Sequence, residues 1–194
     1  MHGLGGLPAL ISGEIGALCG GLSRPLRDGL GNFVACLLAA RTPNLMVLGE
    51  HLPRDIGDNQ HRYHYFTRLL KNDALDVDSV MQSLSKPLFM AATTHNRTAI
   101  VMMDQTHIRD GYECLSTSLH VHGRAIPILW KVVETRGAIG WDIAQTLLER
   151  LMAMVPIGTR LCLMADRFYG HAALIDWCQN WGLGYRIRLK NNLH

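Results

Sequence analysis

One stretch reads Ala99-Ile-Val-Met-Met-Asp104-Gln-Thr106, an apolar run that ends abruptly in a carboxylate. A second stretch, Arg160-Leu-Cys-Leu-Met-Ala-Asp166-Arg-Phe-Tyr-Gly170, repeats the pattern further along the chain. Four to six apolar residues are too few for a helix, so each run predicts a short buried strand in a sheet that is covered on both faces. Each of the two strands would then deliver an aspartate to its carboxyl end.

An aspartate at the edge of an apolar core has two interpretations. As an N-cap or strand-end residue, it only accepts hydrogen bonds from the backbone. As one of two adjacent carboxylates it would need a cation, because burying an unpaired charge is costly, and Mg²⁺ or Mn²⁺ prefers oxygen ligands of this kind. We therefore interpret Asp104 and Asp166 as candidate catalytic residues and metal ligands, and keep the capping interpretation beside this one.

The apolar pattern around the two stretches predicts the element order β-β-β-α-β-α-β. Strands are predicted over residues 98–103, 112–122, 125–134, 160–166 and 183–190, and helices over 141–154 and 170–181. A meander of three strands, followed by parallel strands joined through helices, is the order of an RNase H-like fold, whose crossover connections are right-handed. In that arrangement the first and fourth strands are neighbours, so Asp104 and Asp166 would lie together.

The residues before this core have helical periodicity. Helices are predicted over 26–40, 45–51, 59–71 and 76–86, the last one ending before Pro87. The third helix places Arg62, Arg68 and Lys71 on its outer face, which is typical either of a small helical DNA-binding module or of a helical cap with a solvated basic face. The fold class is thus α/β (α+β), a mixed sheet with flanking helices after a small helical N-terminal region.

We divide the chain into three parts. We expect residues 1–21 to form a poorly defined N-terminal segment, residues 22–95 a helical region that is a candidate for DNA binding, and residues 96–194 an incomplete RNase H-like core that carries the candidate catalytic residues. The period changes from helical to strand-like near residues 90–97, which sets the boundary between the last two. Neither a signal peptide nor a membrane span is predicted.

Composition, charge and cysteine content indicate a globular protein with reduced thiols and permit a polyanionic partner. The chain has 194 residues, 48% of them hydrophobic, which is enough to fill a core. The formal charge is +3; residues 1–95 carry eight Lys/Arg and eight Asp/Glu, whereas residues 96–194 carry eleven and eight. This small basic excess permits a polyanionic partner without requiring one. Five widely spaced cysteines without a CxxC pair indicate reduced thiols in the cytoplasm rather than disulfides or a structural zinc site.

Four segments together resemble the DDE transposases of bacterial insertion sequences, in the group usually called family four. They are Met102-Met-Asp104-Gln-Thr106, the hairpin that follows it, Asp166-Arg-Phe-Tyr-Gly170, and Trp181-Gly-Leu-Gly-Tyr-Arg-Ile-Arg-Leu-Lys190. The stretch that begins Arg41-Thr-Pro-Asn and the predicted helix within residues 60–72 are similar to the N-terminal region of that group. The similarity covers residues 22–192, and its specificity lies in the order and spacing of short motifs.

The resemblance implies a function. Members of the family have an RNase H-like catalytic domain that nicks DNA at transposon ends and transfers the strand, using Mg²⁺ held by Asp, Asp and Glu. By the match, Asp104 is similar to the first aspartate and Asp166 to the second. The implied partner is double-stranded DNA, at the transposon ends and at the target, in the bacterial cytoplasm with the nucleoid and away from membranes. A homodimer and pairing with a full-length transposase are both compatible with the resemblance.

The chain departs from the family at the third carboxylate. In the family the glutamate lies on a helix after the fifth strand, within a Tyr-x2-Arg-x3-Glu-x6-Lys signature. The alignment on Tyr185 and Arg188 would put it at Asn192, and no Asp or Glu follows Asp176. We therefore expect a truncated transposase with weak strand-transfer activity or none.

Two alternative functions stay open. The first is a DNA-binding remnant that occupies transposon ends, or pairs with the full-length enzyme and inhibits it. The second is a metal-dependent nuclease whose third ligand is another acid, Glu134 or Asp110. Metal-dependent cleavage that is lost when one of these two is replaced would favour the nuclease.

Polar and basic residues near the two aspartates are candidate DNA contacts. Thr106 and Arg167 lie next to Asp104 and Asp166 in the sequence, and three cations alternate along the last predicted strand, Arg186, Arg188 and Lys190. Such cations follow a phosphate backbone, or else protect an edge strand against aggregation. His107 and His171 are the histidines closest to the two motifs.

Overall fold

The computed structural model describes residues 4–188, which divide into two compact units between Ser83 and Leu84. This division lies ahead of the change of period near residues 90–97. It falls inside a helix, α5, which spans Val77–Ala92. No helix within residues 4–188 is long and apolar enough to cross a membrane.

The first unit consists of helices, as the periodicity predicts. Their bounds are Leu7–Leu18 (α1), Arg24–Ala40 (α2), Leu45–Glu50 (α3) and Asn59–Leu70 (α4). The side chains of Asn44 and Asp58 cap α3 and α4 by accepting the backbone N–H groups of Met46 and His61, each at 3.0 Å. A small core forms around Phe66, with Cys36, Leu48 and Leu52.

The N-terminal segment and the end of α5 both add to what the sequence predicts. Within residues 1–21 the structure has α1, which packs so closely on α2 that a Cβ atom on Gly31 would clash with the Pro8 carbonyl oxygen. Pro87 was expected to end its helix, yet α5 continues through it to Ala92. Phe89, after the proline, is fully buried, and its burial offsets the hydrogen bond that proline removes.

The second unit is built on one mixed sheet. Its strands are Ala99–Arg109 (β1), Tyr112–Val121 (β2), Arg124–Glu134 (β3), Leu161–Ala165 (β4) and Gly184–Ile187 (β5), and the helices Trp141–Met154 (α6) and Ala172–Asn180 (α7) alternate with the last strands. The strand order across the sheet is β3-β2-β1-β4-β5. β1 pairs antiparallel with β2 and parallel with β4, so the expected neighbours do lie side by side.

Two tight turns set the register of the meander. Asp110 and Gly111 connect β1 to β2, and His122 and Gly123 connect β2 to β3, with positive φ at all four residues. Two consecutive residues with positive φ match the right-handed twist of a hairpin. β1 therefore continues five residues past Asp104, to Arg109, instead of ending at Met103 as predicted.

The two faces of the sheet differ. α6 and α7 pack on one face, where Val101, Met103, Leu163 and Leu148 are buried in a single core. We call the opposite side the open face, because the described part of the chain leaves several of its apolar side chains exposed: Trp130, Val132 and Met164. The expectation that the strand before Asp166 is covered on both faces is wrong at Met164.

Candidate functional site

The register of β1 with β4 brings the two predicted carboxylates together. The strands pair residue by residue as far as Met103 opposite Ala165. Asp104 and Asp166 are the next residues, and the backbone of Asp166 stays extended (φ −76°, ψ 178°). Neighbouring strands lie about 4.8 Å apart. Two negative side chains therefore lie side by side where the parallel ladder ends.

The two carboxylates differ in their hydrogen bonds. Asp166 accepts the backbone N–H of Phe168 through Oδ1 at 2.8 Å, and so caps the 3₁₀ turn Arg167–Tyr169. The capping interpretation thus holds for Asp166, but it leaves Oδ2 available. The carboxylate of Asp104 is exposed and has no hydrogen-bond or ion-pair partner within residues 4–188, where only its backbone carbonyl accepts Ser116 Oγ, at 3.4 Å.

A third metal ligand is missing from the described residues. Within residues 4–188, no group of three His, Cys, Asp or Glu side chains could hold a metal ion. Asp110 lies in the hairpin turn and pairs with Arg109 at 3.7 Å, and Glu134 lies opposite Tyr112 at the same end of the sheet. At about 3.3 Å per residue, both are more than about 15 Å from Asp104. This separation argues against either acid as a ligand of an ion shared with Asp104.

The candidate DNA contacts of the second unit lie around the aspartate pair. Thr106 is exposed on the same face of β1 as Asp104, and Arg167 is exposed in the turn after Asp166. The backbone N–H of Arg188 donates to Ala165 at 3.2 Å, which aligns Arg188 with Asp166. Arg186 lies opposite Met164, on the open face. Lys190 lies outside the described residues.

The basic residues of α4 divide into two kinds. Arg68 and Lys71 are exposed, as expected. Arg62 was expected to face outward, but it is half-buried, and its guanidinium lies 3.5 Å from the Gly49 carbonyl oxygen of α3. Because α3 and α4 pack tightly at Gly49, the aliphatic stem of Arg62 fills the interface between them.

A polar cluster that sequence reasoning missed lies on the helix-covered side of the same strands. Glu113 is only 9% exposed, and accepts hydrogen bonds from Gln105 Nε2 at 3.1 Å and His107 Nδ1 at 2.9 Å. The His107 and Gln105 hydrogen bonds hold the pKa of Glu113 below its usual value of 4.5, although burial opposes them. Glu113 alternates with Leu115, Thr117 and Leu119 on the inward face of β2, and a carboxylate in that pattern was the signal available in the sequence.

Tyr169 joins this cluster from the turn that Asp166 caps. The Tyr169 side chain is buried, and its hydroxyl donates to Gln105 Oε1 at 3.4 Å. Burial, together with the negative charges of Asp166, Asp104 and Glu113, raises the pKa of Tyr169. The phenol therefore stays protonated at neutral pH and acts as a hydrogen-bond donor.

The two histidines near the motifs have structural partners. His107 is bound to Glu113, on the side of β1 away from Asp104. His171 begins α7, where its Nδ1 accepts the backbone N–H of Leu174 at 3.3 Å. Neither histidine is placed beside the aspartate pair by these contacts.

The lowered pKa of Glu113 predicts a pH-dependent effect of Glu113→Gln. Because the folded state holds this carboxylate ionised at lower pH than the unfolded state does, its contribution to stability is present above about pH 4.5 and is lost as the pH falls below that value. We expect Glu113→Gln to lower the free energy of unfolding at pH 7, and the difference from wild type to shrink towards about pH 3.5. Urea denaturation across this range measures it. Glu134→Gln, on exposed β3, is the control, and an effect of Glu113→Gln that is equal at both ends of the range would contradict the prediction.

No protein-family model matches the chain, and no curated protein matches it. The geometry itself offers two adjacent, exposed carboxylates on a partly open sheet, with Arg186 and Arg188 on the β5 side of the pair and Arg167 directly after Asp166. Such an arrangement can bind a hard divalent cation and hold a phosphate-containing substrate against it.

Proposed function

We propose that this chain is part of an RNase H-like DDE transposase, which cleaves and transfers DNA strands with Mg²⁺ or Mn²⁺ held by Asp104 and Asp166. The observation that carries the proposal is the register of β1 with β4, in which the two aspartates follow the paired residues Met103 and Ala165. The sheet order β3-β2-β1-β4-β5 supports the RNase H-like assignment, because a meander followed by two parallel crossovers produces this order.

The two aspartates fit a hard divalent cation. Both oxygens of Asp104 and Oδ2 of Asp166 are free of hydrogen bonds within residues 4–188, and the two side chains repel each other, a repulsion that a bound cation would relieve. Asp104 and Asp166 would hold such an ion, which would supply the Lewis acidity that activates a water or a 3′-hydroxyl for attack on a phosphodiester. The work of the protein is to keep the two carboxylates at a fixed separation and to hold the scissile phosphate beside them.

The surrounding basic residues would bind the DNA. Arg188 and Arg186 lie on one side of the aspartate pair and Arg167 at its end, so a DNA backbone that crosses β5 would reach Asp166. The Thr106 hydroxyl would donate to a phosphate oxygen on the other side. In the first unit, Arg68 of α4 and Lys71, the residue that follows α4, are exposed cations that would contribute to DNA binding.

The family resemblance assigns the third carboxylate to a helix that follows the fifth strand. Residues 4–188 contain no third ligand for the pair. This polypeptide by itself is therefore proposed to nick and join DNA weakly, or not at all. The same observation favours a second candidate function, a DNA-binding protein that occupies transposon ends and inhibits the full-length enzyme.

The test uses the purified chain and DNA carrying the terminal sequences that flank its coding region. Binding and nicking of this DNA are compared with those of a shuffled duplex, in Mg²⁺, in Mn²⁺ and in Ca²⁺ as the inactive control. We expect a preference for the terminal DNA, with weak nicking that Asp104→Ala abolishes and Asp176→Ala, an exposed acid of α7, leaves unchanged. Preferential binding without nicking supports the inhibitory candidate, and the absence of both a preference and metal-dependent nicking contradicts the transposase proposal.

A further inference from the structure

Every hydrogen-bonding position of the Gln105 side-chain amide is used. Its Nε2 donates to the Gly137 carbonyl at 2.7 Å and to Glu113 at 3.1 Å. Its Oε1 accepts the backbone N–H of Ile139 at 3.0 Å and the Tyr169 hydroxyl at 3.4 Å. An amide has two donors and an oxygen with two lone pairs, so no position is left for another partner.

These partners fix the orientation of the amide. In the reversed orientation, the amide oxygen would face the carbonyl of Gly137 and the carboxylate of Glu113, and the NH₂ group would face the N–H of Ile139. Each of those contacts is repulsive, because acceptors would face acceptors and a donor would face a donor. Gln105 therefore ties three separate segments to β1: β2, the loop after β3, and the 3₁₀ turn Arg167–Tyr169.

The hydrogen bond between Gln105 and Tyr169 links the two segments that carry the aspartates. Gln105 follows Asp104 directly in β1, and Tyr169 belongs to the turn that Asp166 caps, with its backbone N–H donating to the Asp166 carbonyl at 3.2 Å. The hydrogen bond between Gln105 and Tyr169 thus crosses from β1 to that turn on the helix-covered side of the sheet. It joins the two backbone segments that carry Asp104 and Asp166.

We propose that Gln105 is a positioning residue, which holds the Asp166 turn against β1 and so sets the separation of Asp104 and Asp166. The catalytic meaning of this rests on the proposed function. The turn contains only three residues, and the two carboxylates that it helps to align carry the same charge. Without the hydrogen bond between Gln105 and Tyr169 on the helix-covered side of the sheet, the repulsion between the two carboxylates would move the turn away from β1. A metal site needs its ligands held within about 0.5 Å of their productive positions.

The first test follows amide hydrogen exchange of the full chain without metal. Gln105→Met keeps the length of the side chain but removes all four hydrogen bonds. We expect hydrogen exchange at the backbone N–H groups of Phe168 and Tyr169 to accelerate by about tenfold or more as the turn opens. Neither of these two N–H groups is bonded to Gln105, so a change in their exchange reports the turn itself. Core amides of β4, such as Leu163, should keep their protection.

Gln179→Met is the matched control for this substitution. Gln179 Nε2 donates to the Tyr185 hydroxyl, also at 3.4 Å, but on α7 and β5 rather than in the Gln105 cluster. The Gln179→Met variant should leave hydrogen exchange at the Phe168 N–H unchanged. Tyr169→Phe is a second, milder variant, which keeps the buried ring and removes only the hydroxyl, and it should accelerate exchange at Phe168 in the same direction by a smaller factor.

The second test measures Mn²⁺ binding to the same variants by electron paramagnetic resonance. We expect Gln105→Met to weaken binding by about tenfold, as is usual for residues that orient metal ligands, and Gln179→Met to leave it unchanged. The inference is overturned if exchange at Phe168 is unaltered in both Gln105→Met and Tyr169→Phe, or if wild type binds Mn²⁺ and both variants bind it equally well. If wild type does not bind Mn²⁺, the proposed function fails, and the exchange data alone decide whether Gln105 positions the turn.

Discussion

Replacing Asp104 by asparagine should lower the affinity for Mn²⁺ by at least about 100-fold. Mutating a residue that only orients a metal ligand already lowers metal affinity by about 10–100-fold, and Asp104 is proposed as a ligand itself. The metal-free protein should be as stable as wild type or slightly more stable. These opposite effects have one cause. The carboxylate of Asp104 has no hydrogen-bond or ion-pair partner within residues 4–188, and the charged residue next to it along the register is Asp166, which has the same sign. Removing one of two like charges on adjacent strands relieves a repulsion of about 0.2–1 kcal/mol.

Thermal unfolding with and without Mn²⁺ measures both effects. Wild type should gain about 2.7 kcal/mol of stability at a Mn²⁺ concentration 100 times its dissociation constant, and Asp104→Asn should gain nothing at that concentration. Asp176→Asn, on the exposed side of α7, should behave as wild type. Asp166→Asn should also lose Mn²⁺, but it should keep the 3₁₀ turn because asparagine caps as well as aspartate does.

The opposite result would identify Asp104 as a structural residue. In that case Asp104→Asn would destabilise the metal-free protein by more than about 1 kcal/mol, and Mn²⁺ would stabilise variant and wild type equally. Such an outcome contradicts the metal site directly, without any need for DNA or for a measured cleavage rate.

Leu148→Ala should lower the free energy of unfolding by about 2–5 kcal/mol. Leu148 lies in α6, is fully buried, and belongs to the same core as Val101 of β1 and Leu163 of β4. Truncation removes apolar area from that core and leaves a cavity that the neighbouring side chains fill only partly. The substitution therefore weakens the contact that holds β1 and β4 under α6, and with it the register on which the aspartate pair depends.

Denaturation followed by tryptophan fluorescence is suited to this measurement. All four tryptophans of the chain lie after Ser83, in the second unit. Ile157→Ala is the control, because Ile157 is fully exposed in the loop between α6 and β4, and it should change stability by less than about 0.5 kcal/mol. Equal losses in the two variants would show that α6 does not pack on the sheet through Leu148.

The element types were predictable because their signals are local. The interval 141–154 reads as a helix from its 3.6-residue period, and α6 has those bounds. The turns of the meander were predictable from Gly111 and Gly123, which permit positive φ. Local sequence signals did not predict the elements correctly where tertiary packing outweighs them. Pro87 does not end α5, because Phe89 is buried beyond it, and α1 forms in a segment whose sequence indicates no element.

The Asp104–Asp166 pair and the Gln105 cluster differ in how far the sequence could define them. Both aspartates directly follow apolar runs, so they could be singled out from the sequence, although β1 continues past Asp104 to Arg109. Gln105, Glu113 and Tyr169 come from three separate elements, and nothing in the sequence around each indicates that they meet. Arg62 likewise has the spacing of an exposed helix residue, and only the close approach of α3 at Gly49 makes it half-buried.

The order of the elements from β1 onward, and the two carboxylates that follow apolar runs, could be predicted from local sequence, because hydrophobic period and turn residues act over a few neighbouring positions. The pairing of Met103 with Ala165 and the hydrogen bond between Gln105 and Tyr169 arise only when the chain has folded. Each of these depends on segments far apart in the chain, and a shift of one residue in register would turn Asp104 to the other face of the sheet. The energy that selects one register comes from packing α6 and α7 onto the sheet, which no single segment contains.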